Sequence, residues 1–249
     1  MLRAAVEMGW RVFDTAEMYA SGGAETVLGH ALAQAQRTGL SREELFVVSK
    51  ALPENASAAG VVGACENSLR RLQLDCLDLY LVHWPSAQPL ADTVRGFEEL
   101  RRGGLIRHWG VSNFDLPALR RLMAVPGGKS CACNQVHYAA SARGVEFDLL
   151  PWQTLHQMPL MAYSPLDQGL LADAPGLHDV ALRYGATPAQ IALAWLLSQP
   201  GVMPIPKAAS LVHLRQNWAA QDLELDAADR QAIDRHFPAP RSPQVLSVR

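Results

Sequence analysis

Asp14, Tyr19, Lys50 and His83 are the residues of this chain whose types and positions suit proton transfer to a polar substrate. A tyrosine hydroxyl is a poor acid at neutral pH, with an unperturbed pKa of about 10. A nearby ammonium stabilises the phenolate and makes the proton easier to release. Lys50 is the candidate for that charge, and Asp14 would hold Lys50 in place by pairing with it. His83 would orient a substrate oxygen or help relay a proton. Proton donation to a carbonyl oxygen typically contributes ~10²–10⁴-fold in rate, so a reduction would need a second agent to supply the reducing equivalent.

Three of these residues end short apolar runs: Val12-Phe13-Asp14, Phe46-Val47-Val48-Ser49-Lys50 and Leu79-Tyr80-Leu81-Val82-His83. Such runs read as buried parallel strands. Polar side chains at their ends suit a site at the carboxyl edge of a sheet. Tyr19 follows in a polar, glycine-flanked segment. The rest of the chain continues the alternation. Helices are expected near 2–8, 25–36, 57–72, 90–102, 146–156, 177–184, 188–198, 210–219 and 227–236, with another opening at Pro117. Gly9 and Gly103-Gly104 act as stops, Ser41 with Glu44 as a capping box, and Thr187-Pro188 as a helix start. Strand-like runs also occur at 106–111, 133–136, 159–162 and 202–206.

Alternating strand and helix with short connections imply a parallel sheet with crossover helices. A doubly wound Rossmann sheet would want a G-x-G-x-x-G loop after its first strand, and none occurs. The expected fold is therefore α/β, a TIM (β/α)8-type barrel, as one domain over 1–249 with a short tail from about 238. Only seven of the eight strands are found, and closure needs all eight. The chain reads as opening in the helix after an absent first strand. The natural protein is accordingly expected to begin upstream, or the chain to fold poorly.

Composition excludes several classes. The net charge of −2 gives no electrostatic case for nucleic acid or an anionic membrane, and no stretch approaches a membrane span. Cys65, Cys76, Cys131 and Cys133 are too scattered for a disulfide framework, and Cys131-x-Cys133 lacks a second ligand pair, so no metal site is expected. The N-terminus has no signal-peptide core, because Arg3 and Glu7 interrupt it. A cytoplasmic monomer is the expectation.

Asp14-Thr15-Ala16-x-x-Tyr19, Ser49-Lys50, Leu81-Val82-His83-Trp84, Gly110-Val111-Ser112-Asn113-Phe114, Asn134-Gln135, Ala162-Tyr163-Ser164-Pro165-Leu166 and Ile205-Pro206-Lys207 together resemble the aldo-keto reductases, in order, from about residue 1 to 236. The resemblance implies that Tyr19 is the general acid, that Lys50 and Asp14 tune it, and that His83 positions the carbonyl, with Trp84 as a wall of the substrate pocket. It further implies NADPH, with NADH as the alternative, lying across the barrel mouth. Ser112, Asn113 and Gln135 would hydrogen-bond the carboxamide, and Tyr163 would stack on the nicotinamide. Ser164 and Leu166 fall where the family's pyrophosphate loop lies. Lys207 would meet the 2′-phosphate and Asn217 the adenine.

Two positions depart from the commoner pattern. Ala208 replaces a serine, and His213 stands where an arginine usually grips the phosphate. A neutral imidazole cannot make that bidentate charged contact, so the NADPH preference is expected to be weaker than the family norm. The leading expectation is a reductase of small aldehydes, ketoaldehydes or keto sugars. The alternatives are a redox-sensing nicotinamide-binding partner protein of the same fold, and an inactive fragment.

Overall fold

The computed structural model describes residues Met1–Arg249. It contains ten α-helices and seven β-strands. The chain divides into two compact units, Leu2–Asn134 and Gln135–Arg249, with Met1 belonging to the second.

In the first unit, α1 (Leu2–Met8) stops at Gly9, whose φ of 105° suits a residue without Cβ. Then come β1 (Val12–Asp14), α2 (Gly23–Arg37), β2 (Phe46–Ala51), α3 (Ala58–Leu72), β3 (Leu77–Val82), α4 (Leu90–Arg102), β4 (Ile106–Ser112) and α5 (Leu116–Ala124). Strands β1 to β4 pair in parallel and in chain order. Strand β3 is buried at every position, Asp78 included, and its unbroken apolar run covers only residues 79–82. Helix α3 is capped by Ser57, whose hydroxyl accepts from the Gly60 amide. It buries Val61, Ala64, Cys65, Leu69 and Leu72 along one stripe. A leucine buried this way contributes about 1.5–3 kcal/mol. Helix α2 approaches the end of α3 so closely that a Cβ on Gly29 would lie 2.4 Å from the Leu72 carbonyl oxygen.

The register positions the site. Asp14 pairs with Val48, and Lys50 pairs with Leu81. Side chains alternate along a strand, so residues two apart share a face. Lys50 lies two positions beyond Val48, and His83 two beyond Leu81. Asp14, Lys50 and His83 therefore project from the same face, each about 6–7 Å further along than the one before.

Strand β5 (Cys131–His137) begins in the first unit and ends in the second. Helix α6 (Leu149–Leu155), β6 (Leu160–Tyr163), α7 (Pro175–Tyr184), α8 (Pro188–Leu197), β7 (Val202–Pro204), α9 (Leu211–Ala219) and α10 (Ala227–His236) follow. Strands β6 and β7 pair in parallel from Leu160–Val202 to Ala162–Pro204. Helix α8 opens at the expected Thr187-Pro188 start, where Thr187 and Gln190 form a capping box, and is buried continuously from Ile191 to Leu196, so it is apolar all round. The helix expected at 146–156 begins only at Leu149. Glu146 instead closes a 3₁₀ turn, where its carboxylate accepts from Tyr138 Oη (2.8 Å) and Arg143 Nε (2.7 Å). No helix is long and apolar enough to cross a membrane.

Candidate active site

Lys50 lies fully buried near the end of β2, and its ammonium has three acceptors for its three protons. Nζ donates to Asp14 Oδ1 (2.5 Å), the Thr15 carbonyl (2.9 Å) and Tyr19 Oη (3.5 Å). It also stands 5.0 Å from the Tyr19 ring centroid. The β1 ladder runs one residue past the strand, through Thr15 N donating to Val48 O (2.9 Å), before the chain turns away. Tyr19 opens a tight turn in which Ala20 and Ser21 both adopt left-handed φ values of 52°, so the phenol is left exposed. A buried charge thus faces an exposed hydroxyl.

His83 continues the β3 ladder, its amide donating to Ala51 O (2.9 Å). Its ring stacks on Trp84 at 3.9 Å and meets Tyr19 edge-on at 5.7 Å. Burial, and then the Lys50 charge, push its pKa down to about 3. The imidazole is therefore neutral throughout the physiological range, and its buried Nδ1 has no protein partner. An uncharged ring beside an exposed phenol can position a polar substrate group without competing as the acid. Beyond β4, Asn113 takes a φ of 60°, a conformation asparagine tolerates. Its Nδ2 donates to the His83 carbonyl (3.0 Å) and Ser112 Oγ (3.2 Å), which ties the two strand ends together. Asp14, Tyr19, Lys50, His83, Trp84, Ser112 and Asn113 are thus gathered in one place.

The His83 shift has a consequence for acid stability. The folded-state pKa lies below the unfolded value of 6.5, so between the two the unfolded chain binds more protons. The contribution is complete above about pH 6.5 and is lost as pH falls toward 3. At about pH 4.5 the loss amounts to about 2–3 kcal/mol. Urea unfolding at pH 7 and 4.5 should show a smaller acid loss in His83→Gln than in the parent, by about that amount. Equal losses in both proteins would rule this out.

In the second unit, buried Gln135 on β5 donates from Nε2 to Met161 Sδ (3.8 Å). Tyr163 ends β6 with its ring stacked on His137 at 5.7 Å. The loop after it is unusually contorted: Ser164, Asp167 and Gln168 all have positive φ, a costly state for residues with a Cβ. Leu166 lies half-buried within this loop. Lys207, just past β7, is exposed and has no ion-pair partner. The exposed His213 sits in the first turn of α9, its amide donating to the Ser210 cap (3.2 Å), and Asn217 is buried further along that helix.

Other residues of these loops escaped sequence reasoning. His137 Nδ1 contacts Ser247 Oγ (2.9 Å), and its Nε2 lies 3.5 Å from Asp167. Asp167 is buried and accepts from Ser141 Oγ (2.9 Å) and Arg249 Nε (3.1 Å). The Arg249 amide donates to Tyr163 Oη (3.3 Å). The tail thus folds back onto the β6 loop, a long-range contact with no periodic signal in the sequence. Glu17, which no sequence pattern marks, is also well bonded.

The family model described as "Aldo/keto reductase family" matches residues 1–237. Methylglyoxal reductase YeaE of Escherichia coli is 47% identical over 253 residues, covering 99% of this chain and 87% of that protein. Glyoxal reductase of Bacillus subtilis is 37% identical over 233 residues, covering 94% and 81%. An aldo-keto reductase from Klebsiella pneumoniae, solved in complex with NADPH, superposes with a TM-score of 0.92 at 44% identity, covering 99% of this chain and 86% of that one. The fold is the (β/α)8-type α/β fold of those proteins, with seven strands found in this chain.

Proposed function

The chain belongs to the aldo/keto reductase family, and from that premise we propose that it reduces small aldehydes and ketoaldehydes to alcohols, with NADPH as reductant and Tyr19 as the acid. The observation that carries this reading is the Asp14–Lys50–Tyr19 chain of contacts beside a neutral His83. The names of the relatives, which include methylglyoxal and glyoxal reductases, support a small substrate.

Tyr19 Oη gives its proton to the carbonyl oxygen as charge develops there. The Lys50 ammonium, 3.5 Å away, stabilises the charge left on the phenol oxygen. Asp14 and the Thr15 carbonyl hold that ammonium still. His83 and Trp84 orient the carbonyl from the side.

The residues present fit the nucleotide. Lys207 is an exposed cation that forms no ion pair, followed closely by the capped N-terminus of α9, and such a helix start favours a phosphate. Lys207 and His213 would hold the 2′-phosphate, and Asn217 the adenine. The Ser164–Leu166 loop would hold the pyrophosphate, Tyr163 would lie against the nicotinamide, and Ser112, Asn113 and Gln135 would bond its carboxamide. When bound, NADPH supplies the hydride of the reduction.

The test is cofactor oxidation by the purified chain with methylglyoxal, glyoxal and glyceraldehyde, using NADPH and NADH in parallel. Absence of carbonyl-dependent oxidation with either cofactor would refute the reading. Lys207→Ala refines it: a charged hydrogen bond is worth roughly 1.5–3 kcal/mol, so NADPH should bind about tenfold or more weakly and NADH nearly as before. His213→Arg should tighten NADPH. Equal losses of both cofactors in Lys207→Ala would show that Lys207 does not read the phosphate.

A further inference from the structure

We infer that Glu17 is a positioning residue for Tyr19: its carboxylate pins the loop carrying the phenol to the segment that follows Lys50. The inference rests on the reading of Tyr19 as the acid. Glu17 Oε1 accepts from the Leu52 amide (2.6 Å) and from Asn55 Nδ2 (2.8 Å), while its own amide donates to Lys50 O (3.3 Å). One residue thereby ties the loop to the β2 extension through both backbone and side chain.

Its place in the loop makes that tie matter. Thr15 N to Val48 O and Glu17 N to Lys50 O are the last backbone bonds from the loop to β2. Beyond them, the Tyr19 and Ser21 amides bond only to Ala16 O and Met18 O within the loop itself. Met18, Tyr19, Ala20 and Ser21 are all exposed. The next firm anchor is buried Glu25, which accepts from Ser49 Oγ and Arg71 Nε, each at 2.6 Å. Tyr19 therefore lies on an exposed span between two carboxylate anchors, and Glu17 is the nearer.

The span has little tolerance. Lys50 holds Asp14 and Thr15 at short range but reaches Tyr19 Oη only at 3.5 Å. That contact stands at the limit of a hydrogen bond, so a modest outward drift of the loop removes it. Misplacement of a reacting group by about 1 Å can cost up to ~10²-fold in rate.

The experiment compares the parent with Glu17→Ala, Glu17→Gln and Glu17→Asp. Glu17→Ala should lower kcat roughly tenfold or more, leave the NADPH Kd within about twofold, and speed amide exchange of peptides spanning 15–22 and 51–56 in the cofactor-free protein. Glu17→Gln keeps an oxygen where both donors point, so it should restore most of kcat and the slow exchange. Unchanged kcat in Glu17→Ala would overturn the inference. So would a parallel loss of NADPH affinity, or a Glu17→Gln variant as impaired as Glu17→Ala. If Glu17→Ala does not fold, Glu17→Asp decides by the same measures, since its shorter reach strains both bonds. If the parent itself turns over no carbonyl, the reading of Tyr19 has failed. Amide exchange then still judges the tie, and identical exchange in parent and variant overturns it.

Discussion

Tyr19→Phe should reduce kcat by roughly 10²–10⁴-fold, the usual contribution of a positioned proton donor, while NADPH affinity and stability stay close to the parent's. The substitution removes one exposed hydroxyl and keeps the ring. The edge-on contact with His83 and the Lys50 ammonium over the ring both survive, because neither needs the oxygen. Lys50 loses its longest hydrogen bond but retains Asp14 Oδ1 and the Thr15 carbonyl. His83 does not substitute as the acid, because burial and the Lys50 charge keep its pKa near 3, which leaves almost no imidazolium at neutral pH. Single-turnover kinetics with methylglyoxal, alongside fluorescence titration of NADPH, separate the two halves of the expectation. A variant that keeps most of its kcat would remove Tyr19 from the mechanism.

Asp14→Ala should act on stability as much as on rate. Lys50 is fully enclosed, and Asp14 supplies its only anionic contact, with the Thr15 carbonyl and Tyr19 Oη remaining as neutral acceptors. Removing one member of a buried pair strands the other charge, at a cost of about 3–5 kcal/mol. Domains are stable by only about 5–15 kcal/mol, so the loss would be plain in a urea titration. The double variant Asp14→Ala/Lys50→Met, which removes both charges, should recover much of that stability and yet remain inactive, since no cation then faces Tyr19. Asp14→Asn keeps an oxygen toward Lys50 and should fall between parent and alanine variant in stability. Unfolding of Asp14→Ala at the parent's midpoint would show that the pair contributes nothing to the fold.

The elements and the chemical types at their ends are readable along the chain. Strands β1, β2 and β3 were legible because a buried parallel strand is a short apolar run, and Asp14, Lys50 and His83 break those runs abruptly. Gly9, the Ser41–Glu44 box and the Thr187-Pro188 start are legible because caps act within four residues. Local signals reach no further than that. Tertiary packing leaves Lys50 with no exposed surface at all, which no local pattern announces for a lysine. It decided that His83 is neutral, since the cause is its surroundings rather than its neighbours in sequence. It decided that Glu146 serves Tyr138 and Arg143 instead of opening a helix. Glu17 meets Leu52 and Asn55 only because β1 and β2 pair in one register, and Arg249 reaches Tyr163 and Asp167 only because the tail folds back. Such bonds join side chains dozens of residues apart, and periodicity along the chain carries no record of which distant backbone will arrive beside them.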